Sequence, residues 1–324
     1  MPKTLIDTGG RPLLDVASYA RRGPGRRDHL SVAEVALIQR TVTRAPEVIV
    51  KVLTRGASTL KAVRAHLAYL NRGGELEIET DDGQRLAGRA VEKRLLEDWD
   101  LDVEQHRRRA DLRPSKDRAP PRLVHKILFS MPPGTPPDKV LKAVKNFARE
   151  EFALQHRYAM VLHTDEPHPH VHVVVKAVSE QGTRLNIRKP TLRRWRREFA
   201  AHLRQLGVAA NATERPVRGT WTPAVSDGVY RSSQRGESEV VKERSAHRAV
   251  SASGSTKLLE TREAVNHGWR ALSQLLRAER YLELSGQVDR FVERMPALRT
   301  DQELLMQVIS RDCSSSERTP PMTR

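Results

Sequence analysis

The run His170-Val-His-Val-Val-Val-Lys176 constrains this chain more than any other stretch of it. Side chains alternate across a strand, so His170, His172, Val174 and Lys176 point one way while Val171, Val173, Val175 and Ala177 point the other. The valine face must be buried against a core. The opposite face then presents two imidazoles side by side on rigid backbone, which is how a convergent metal site is built. Five of the twelve histidines fall between 156 and 172, while the others are scattered.

A third ligand has to come from nearby. His163 ends the preceding predicted strand, RYAMVLHT (157–164), and the short connection Asp165-Glu166-Pro167-His168-Pro169 allows it to face the same side. Three neutral imidazoles leave open positions on a divalent ion, as a catalytic site requires. Asp165 is placed to accept the outer N–H of one histidine and fix its tautomer. His168 competes with His163, since 168, 170 and 172 share a face if the strand starts early. Pro167 and Pro169 argue that it does not.

The rest of the chain reads as mixed helix and strand. A strand is expected over EVIVKVL from Glu47, ended by Gly56-Ala57. Ser58 is a candidate N-cap for the helix TLKAVRAHLAYLN, whose apolar stripe is Leu60, Val63, Leu67 and Leu70 and which Gly73-Gly74 terminate. ELEIET and QRLAGR form a hairpin across Asp81-Asp82-Gly83, and 89–110 a charged helix. Further expectations are a strand in RLVHKILFS, a helix over about 137–152, and a helix over 190–207. The organisation expected is a basic flexible arm over 1–46, a catalytic region over 47–218, a linker over 219–255, helices over 256–312 and a disordered tail over 313–324.

A formal net charge of +17 points to a polyanionic partner, nucleic acid first and an anionic membrane surface second. No apolar run approaches the roughly 18 residues that span a bilayer, so no membrane insertion is expected. The N-terminus lacks the apolar core of a secretory signal. The single cysteine, Cys313, forms no internal disulfide, which fits a reducing cytoplasm.

Imidazole-bound metal on a basic protein suggests phosphodiester chemistry, which needs water or a side chain as nucleophile. The tyrosines are 19, 69, 158, 230 and 281. Tyr158 lies an odd number of residues before His163 and so faces the core. Tyr69 lies about 180° around its helix from Leu60, off the buried stripe. It stands in the last turn beside His66, with Arg72 and two glycines following; the glycines allow a DNA backbone to come close. Helix geometry alone permits Tyr69 without selecting it.

The pattern H-x-D-x-x-H-P-H-x-H-V-V-V, His163 to Val175, resembles the metal motif of the histidine–hydrophobe–histidine endonucleases. It is most similar to conjugative and mobilisation relaxases, in the branch of the T-DNA border endonuclease. Residues 58–79 resemble that branch's nucleophile helix, with Tyr69 at the tyrosine's place. Residues 124–135, VHKILFSMPPGT, resemble its second motif, whose DNA-holding serine corresponds to Ser130. The likeness covers roughly 47–218.

What it implies is an α+β fold with a central antiparallel sheet, helices packed on one face and the metal and DNA site on the other. A small helical C-terminal region follows. Tyr69 would attack the scissile phosphate at an origin of transfer, giving a 5′-phosphotyrosyl link and a free 3′-hydroxyl. His163, His170 and His172 would hold one divalent ion, Mg or Mn in use, with Zn or Ni also suited to three imidazoles. Implied partners are single-stranded DNA, an accessory DNA-binding protein of the relaxosome and a type IV coupling protein, in the cytoplasm of a bacterial donor cell with transfer to a recipient. The tail would carry the secretion signal. Lys176, the arginines of the basic helix (Arg193, Arg194, Arg196, Arg197) and the triple arginine at 107–109 are expected to contact phosphates. Tyr19 stays open as a second nucleophile candidate. A rolling-circle initiator is the first rival, and there the tyrosine usually follows the histidines. A water-using nuclease and a DNA-binding protein with a structural metal are the others.

Overall fold

The computed structural model describes Val16 and residues 29–53, 58–101, 103–104, 121–220 and 252–295, with side chains in the last stretch from Leu259 onward. These residues form two compact units. One comprises the described part of 45–212, the other that of 13–44 with 213–295. No helix among the described residues is long and apolar enough to cross a membrane.

Helix α1 (Val32–Val42) belongs to the second unit and starts at a capping box, in which Ser31 and Glu34 satisfy each other's backbone N–H groups. The first unit then runs β1 (Ile49–Leu53), α2 (Leu60–Leu70), β2 (Ile78–Thr80), β3 (Arg85–Leu86), α3 (Val91–Asp98) and β4 (Val124–Ser130). It continues with α4 (Pro137–Glu151), β5 (Tyr158–His163), β6 (His170–Lys176) and α5 (Lys189–Gln205). The six strands make one sheet in the order β1-β4-β6-β5-β2-β3, every neighbouring pair antiparallel.

Strand β6 lies inside the sheet, paired with β4 on one side and β5 on the other, which suits its uninterrupted valines. One face of the sheet packs Ile127, Phe129, Tyr158, Met160, Val171, Val173 and Val175 against α4 and α5 through Phe147, Trp195, Phe199 and Leu203. Phe129 meets Phe199 edge-on with centroids 5.2 Å apart, and cutting any of these aromatics to alanine costs about 3–5 kcal/mol. Glu151 of α4 accepts from Arg194 at 2.6 Å and from the Trp195 indole N–H at 2.8 Å, tying the two helices.

The other face carries Val124, Ala159, Val161 and Val174, and α2 and α3 cover part of it with Val63, Leu67, Leu70 and Leu95. The site therefore occupies only the uncovered remainder of that face. The N-cap of α2 is Thr59, whose hydroxyl accepts from the Ala62 N–H at 3.2 Å, one residue later than the expected Ser58.

In the second unit, α6 (Ala252–Ala278) and α7 (Leu282–Glu293) pack with α1. Leu37 and Ile38 of α1 are buried with Trp269, Leu272, Val288 and Phe291, so residues 29–44, expected within an arm, join a core. The Trp269 indole N–H donates to the Val217 carbonyl at 2.8 Å. The tail over 313–324, most of the linker and most of the arm lie outside the described residues.

His125 on β4 is buried, and burial pushes its imidazole down to about 4, with the charge of Arg122 adding to the effect. An unfolded histidine titrates near 6.5. Unfolding therefore takes up a proton between those values, so stability is highest above pH 6.5 and falls as pH drops toward 4. His125→Leu should flatten that acid limb, sparing up to about 2 kcal/mol at pH 5; parallel urea titrations of the two proteins at pH 7 and pH 5 check it.

Candidate metal centre

The antiparallel register of β4, β6 and β5 writes a row of side chains across the uncovered face. His170 lies opposite Ser130 on one side and opposite His163 on the other. In the next row His172 lies between Leu128 and Val161. The three imidazoles converge, with ring centroids 5.2 Å (163 to 170), 4.9 Å (163 to 172) and 5.2 Å (170 to 172) apart. One ligand nitrogen from each lies within 4.8 Å of the others.

The partner of each outer nitrogen decides what the inner one is free to do. His163 Nε2 is 2.8 Å from the Leu70 carbonyl, and His170 Nδ1 is 2.9 Å from the His168 carbonyl. A carbonyl oxygen only accepts, so both facing nitrogens carry the proton. Nδ1 of His163 and Nε2 of His170 are then lone-pair donors. His172 Nδ1 is buried without a hydrogen-bond partner, a costly arrangement in a histidine kept for packing alone. Burial pushes His172 down to about 3, helped by His163, and it lowers His163 as well. Neutral imidazoles with a free nitrogen each are the donor set a divalent ion takes.

Two expectations about this cluster are refined. His168 is exposed and gives only its backbone carbonyl, so the convergent set contains His163. Asp165 does not accept an outer imidazole N–H. It lies two residues past the end of β5 on an exposed turn, where it pairs with the Arg72 guanidinium, and backbone carbonyls orient His163 and His170 instead.

The C-terminal end of α2 stands over this cluster because the carbonyl of its last residue, Leu70, accepts the hydrogen bond that His163 Nε2–H donates. Tyr69, the residue before, is 59% exposed. His66, one turn earlier, lies 6.4 Å from the Tyr69 ring and 6.3 Å from the His172 ring by centroids, next to both the tyrosine and the histidine cluster. Burial holds His66 down to about 4, and the Lys126 ammonium adds to it. The Arg72 guanidinium sits 5.2 Å from the Tyr69 ring centroid. The glycines after it serve the fold first. Gly74 has φ +111, and a Cβ there would stand 2.6 Å from the Gly88 backbone carbon.

The other expected contacts divide. Ser130 is beside His170, as its register requires. Lys176 shares the face but is buried at the far end of β6, paired with Glu180 at 3.0 Å. Arg193, Arg194 and Arg197 lie on α5, and α5 packs on the valine face, across the sheet from the histidines. That corrects their expected place on the site side. The alternation that aims His170 and His172 one way aims the core under α5 the other way. Lys51 of β1, exposed on the histidine side of the sheet opposite Leu128, is a cation that sequence reading passed over. Tyr158 is buried and its phenol pushed up to about 12 by burial. Tyr19 and the arginines at 107–109 lie outside the described residues.

Residues 79–208 match the family described as relaxase, MobA/VirD2-like, nuclease domain. The chain is 24% identical over 214 residues to the T-DNA border endonuclease VirD2 of Rhizobium radiobacter, covering 60% of this chain and 48% of that protein. It is 25% identical over 209 residues to the VirD2 of Agrobacterium fabrum (strain C58 / ATCC 33970), covering 60% and 46%. The chain thus spans about half the length of these curated relatives. The family match includes Ser130 and all three histidines and begins after Tyr69 and Arg72.

The donor set predicts one bound ion per chain. Titrating Mn²⁺ into metal-stripped protein should saturate at one equivalent and raise the midpoint of thermal unfolding. At a hundredfold excess over Kd the linked stabilisation is about 2.7 kcal/mol. His172→Ala should remove both effects and His168→Ala neither, as calorimetry and a melt with and without EDTA will read.

Proposed function

We propose that this chain, whose residues 79–208 match the MobA/VirD2-like relaxase nuclease domain, nicks and rejoins one DNA strand at an origin of transfer, with Tyr69 as nucleophile. The observation that carries this reading is the 2.8 Å hydrogen bond between His163 Nε2 and the Leu70 carbonyl. It joins the ligand cluster to the residue next to an exposed tyrosine. A nucleophile and an electrophilic centre are thereby held on one rigid frame, the condition for converting a bimolecular attack into an oriented one.

In the forward step Tyr69 Oη forms a bond to phosphorus as the bond from phosphorus to the 3′-oxygen breaks. The phenol gives up its proton, and a proton ends on the released 3′-hydroxyl. The strand is left joined to the protein through a 5′-phosphotyrosyl link. One phosphodiester replaces another, so the 3′-hydroxyl can attack in reverse and reseal the strand. His163, His170 and His172 would hold a divalent ion, and when bound it would supply Lewis acidity at the phosphate. Ser130, in the same row, is in position to hold the DNA backbone beside the cluster. Lys51 adds positive charge on the open part of that face.

The same reading extends to partners. A single-stranded substrate, an accessory DNA-binding protein and a type IV coupling protein accompany origin nicking in a cytoplasmic donor, and the tail over 313–324 is the segment we assign to secretion. The organisation into a nicking region over 47–218 and a helical region over 256–312 is part of this proposal.

The test is covalent capture. Full-length protein with Mn²⁺ is incubated with single-stranded oligonucleotides tiling the DNA that flanks its own gene, then run on a denaturing gel. An adduct is expected with a defined subset of oligonucleotides, and Tyr69→Phe should reduce it below detection. Cleavage without adduct would make water the nucleophile. An undiminished adduct in Tyr69→Phe would move the role to another tyrosine, Tyr19 first.

A further inference from the structure

Arg72 directly follows the C-cap of α2, and its guanidinium turns back over the site. Its backbone has φ 54, a left-handed conformation in a residue with a full side chain. Its guanidinium pairs with Asp165 and lies 5.2 Å from the Tyr69 ring centroid. Arg72 keeps 33% of its side-chain surface exposed and Asp165 53%. An ion pair that open to water contributes little to folding, whereas the left-handed backbone costs stability.

The arrangement leaves the guanidinium partly uncommitted. Only Nη2 faces Asp165. Among the described residues no other acceptor meets the remaining N–H groups. A guanidinium offers planar, paired donors that match the oxygens of a phosphate. A phosphodiester close enough to Tyr69 to react is also within reach of that fork. Arg72 reaches both the tyrosine ring and the turn that follows His163. His66 neighbours both the tyrosine ring and His172, while Arg72 links that ring to the turn between β5 and β6.

We propose that Arg72 is the phosphate clamp of this site and that Asp165 is its positioning residue, an assignment that rests on Tyr69 being the nucleophile. Arg72 donates to a non-bridging oxygen of the phosphate under attack, where a second negative charge develops as Tyr69 Oη bonds and the 3′-oxygen leaves. Asp165 keeps one edge of the guanidinium occupied and so aims the other. This gives Asp165 a part in the chemistry through Arg72, separate from the ligand histidines.

The experiment is single-turnover adduct formation by the full-length protein with Mn²⁺ and a captured oligonucleotide. Arg72→Ala is expected to slow the step about 100-fold while half-saturating DNA moves by less than about threefold. Arg72→Lys should recover about a tenth of the wild-type rate. Asp165→Asn should cost about tenfold alone and nothing further in the Arg72→Ala background. With an uncharged methylphosphonate at the scissile linkage, the Arg72→Ala defect should shrink to within about threefold, because the linkage starts neutral and its transition state carries one negative charge fewer. One-equivalent Mn²⁺ binding by each variant shows that the fold is kept. Should Arg72→Ala not fold, Arg72→Lys and Asp165→Asn carry the comparison. A wild-type rate in Arg72→Ala, an unchanged defect on methylphosphonate, or additive losses in the double variant each overturn the clamp alone. No adduct from the wild-type protein on any oligonucleotide overturns the Tyr69 reading and the clamp with it.

Discussion

One hydrogen bond holds the candidate site together, the proton shared between His163 Nε2 and the Leu70 carbonyl. It does three things at once. It satisfies a carbonyl in the last turn of α2, where intrahelical partners run out. It places the proton on one ring nitrogen and leaves the other for a ligand. It also sets the end of α2 on the sheet next to β5, which brings Tyr69, His66 and Arg72 to the cluster. A carboxylate in that place would orient the imidazole equally well, but it would not attach a helix.

Around that bond the sheet divides labour by parity. Odd residues of β6 are valines under α4 and α5, and even residues begin with two histidines. Because register carries parity across strands, Ser130 falls into the row of His170 and His163 without any further device. The same rule sends the basic helix α5 away from the site. Arg194 spends its charge on Glu151 and Glu198, and a basic stretch in sequence is thus a helix-to-helix tie in space. Net charge announces a polyanionic partner but not which cations face it.

The local elements were legible because each had a short-range cause. Alternation specified β6 and the apolar stripe of α2 faced inward, whereas α1, capped locally by Ser31 and Glu34, lay inside the stretch expected as an arm. His163, His170 and His172 were legible for the same reason, since a strand, a short turn and a second strand bring them together with little freedom. Asp165 and Arg72 were not. They are 93 positions apart, and nothing in either neighbourhood indicates that they meet. The glycines after Tyr69 were visible as breakers, yet the close approach that requires Gly74 is to Gly88, a contact made only when the hairpin folds back.

By itself, then, the amino-acid order determined the strand that carries two histidines, the face they share, the third histidine within reach, and the basic character that calls for nucleic acid. Those properties are periodic or compositional, and they survive whatever the rest of the chain does. The tertiary structure alone decided what the ends of elements do. It chose a backbone carbonyl over Asp165 to hold His163, gave Asp165 to Arg72, put α5 on the far face, and set Tyr69 at the edge of the cluster. Such choices depend on contacts between segments distant in sequence, and no local period encodes a distant partner.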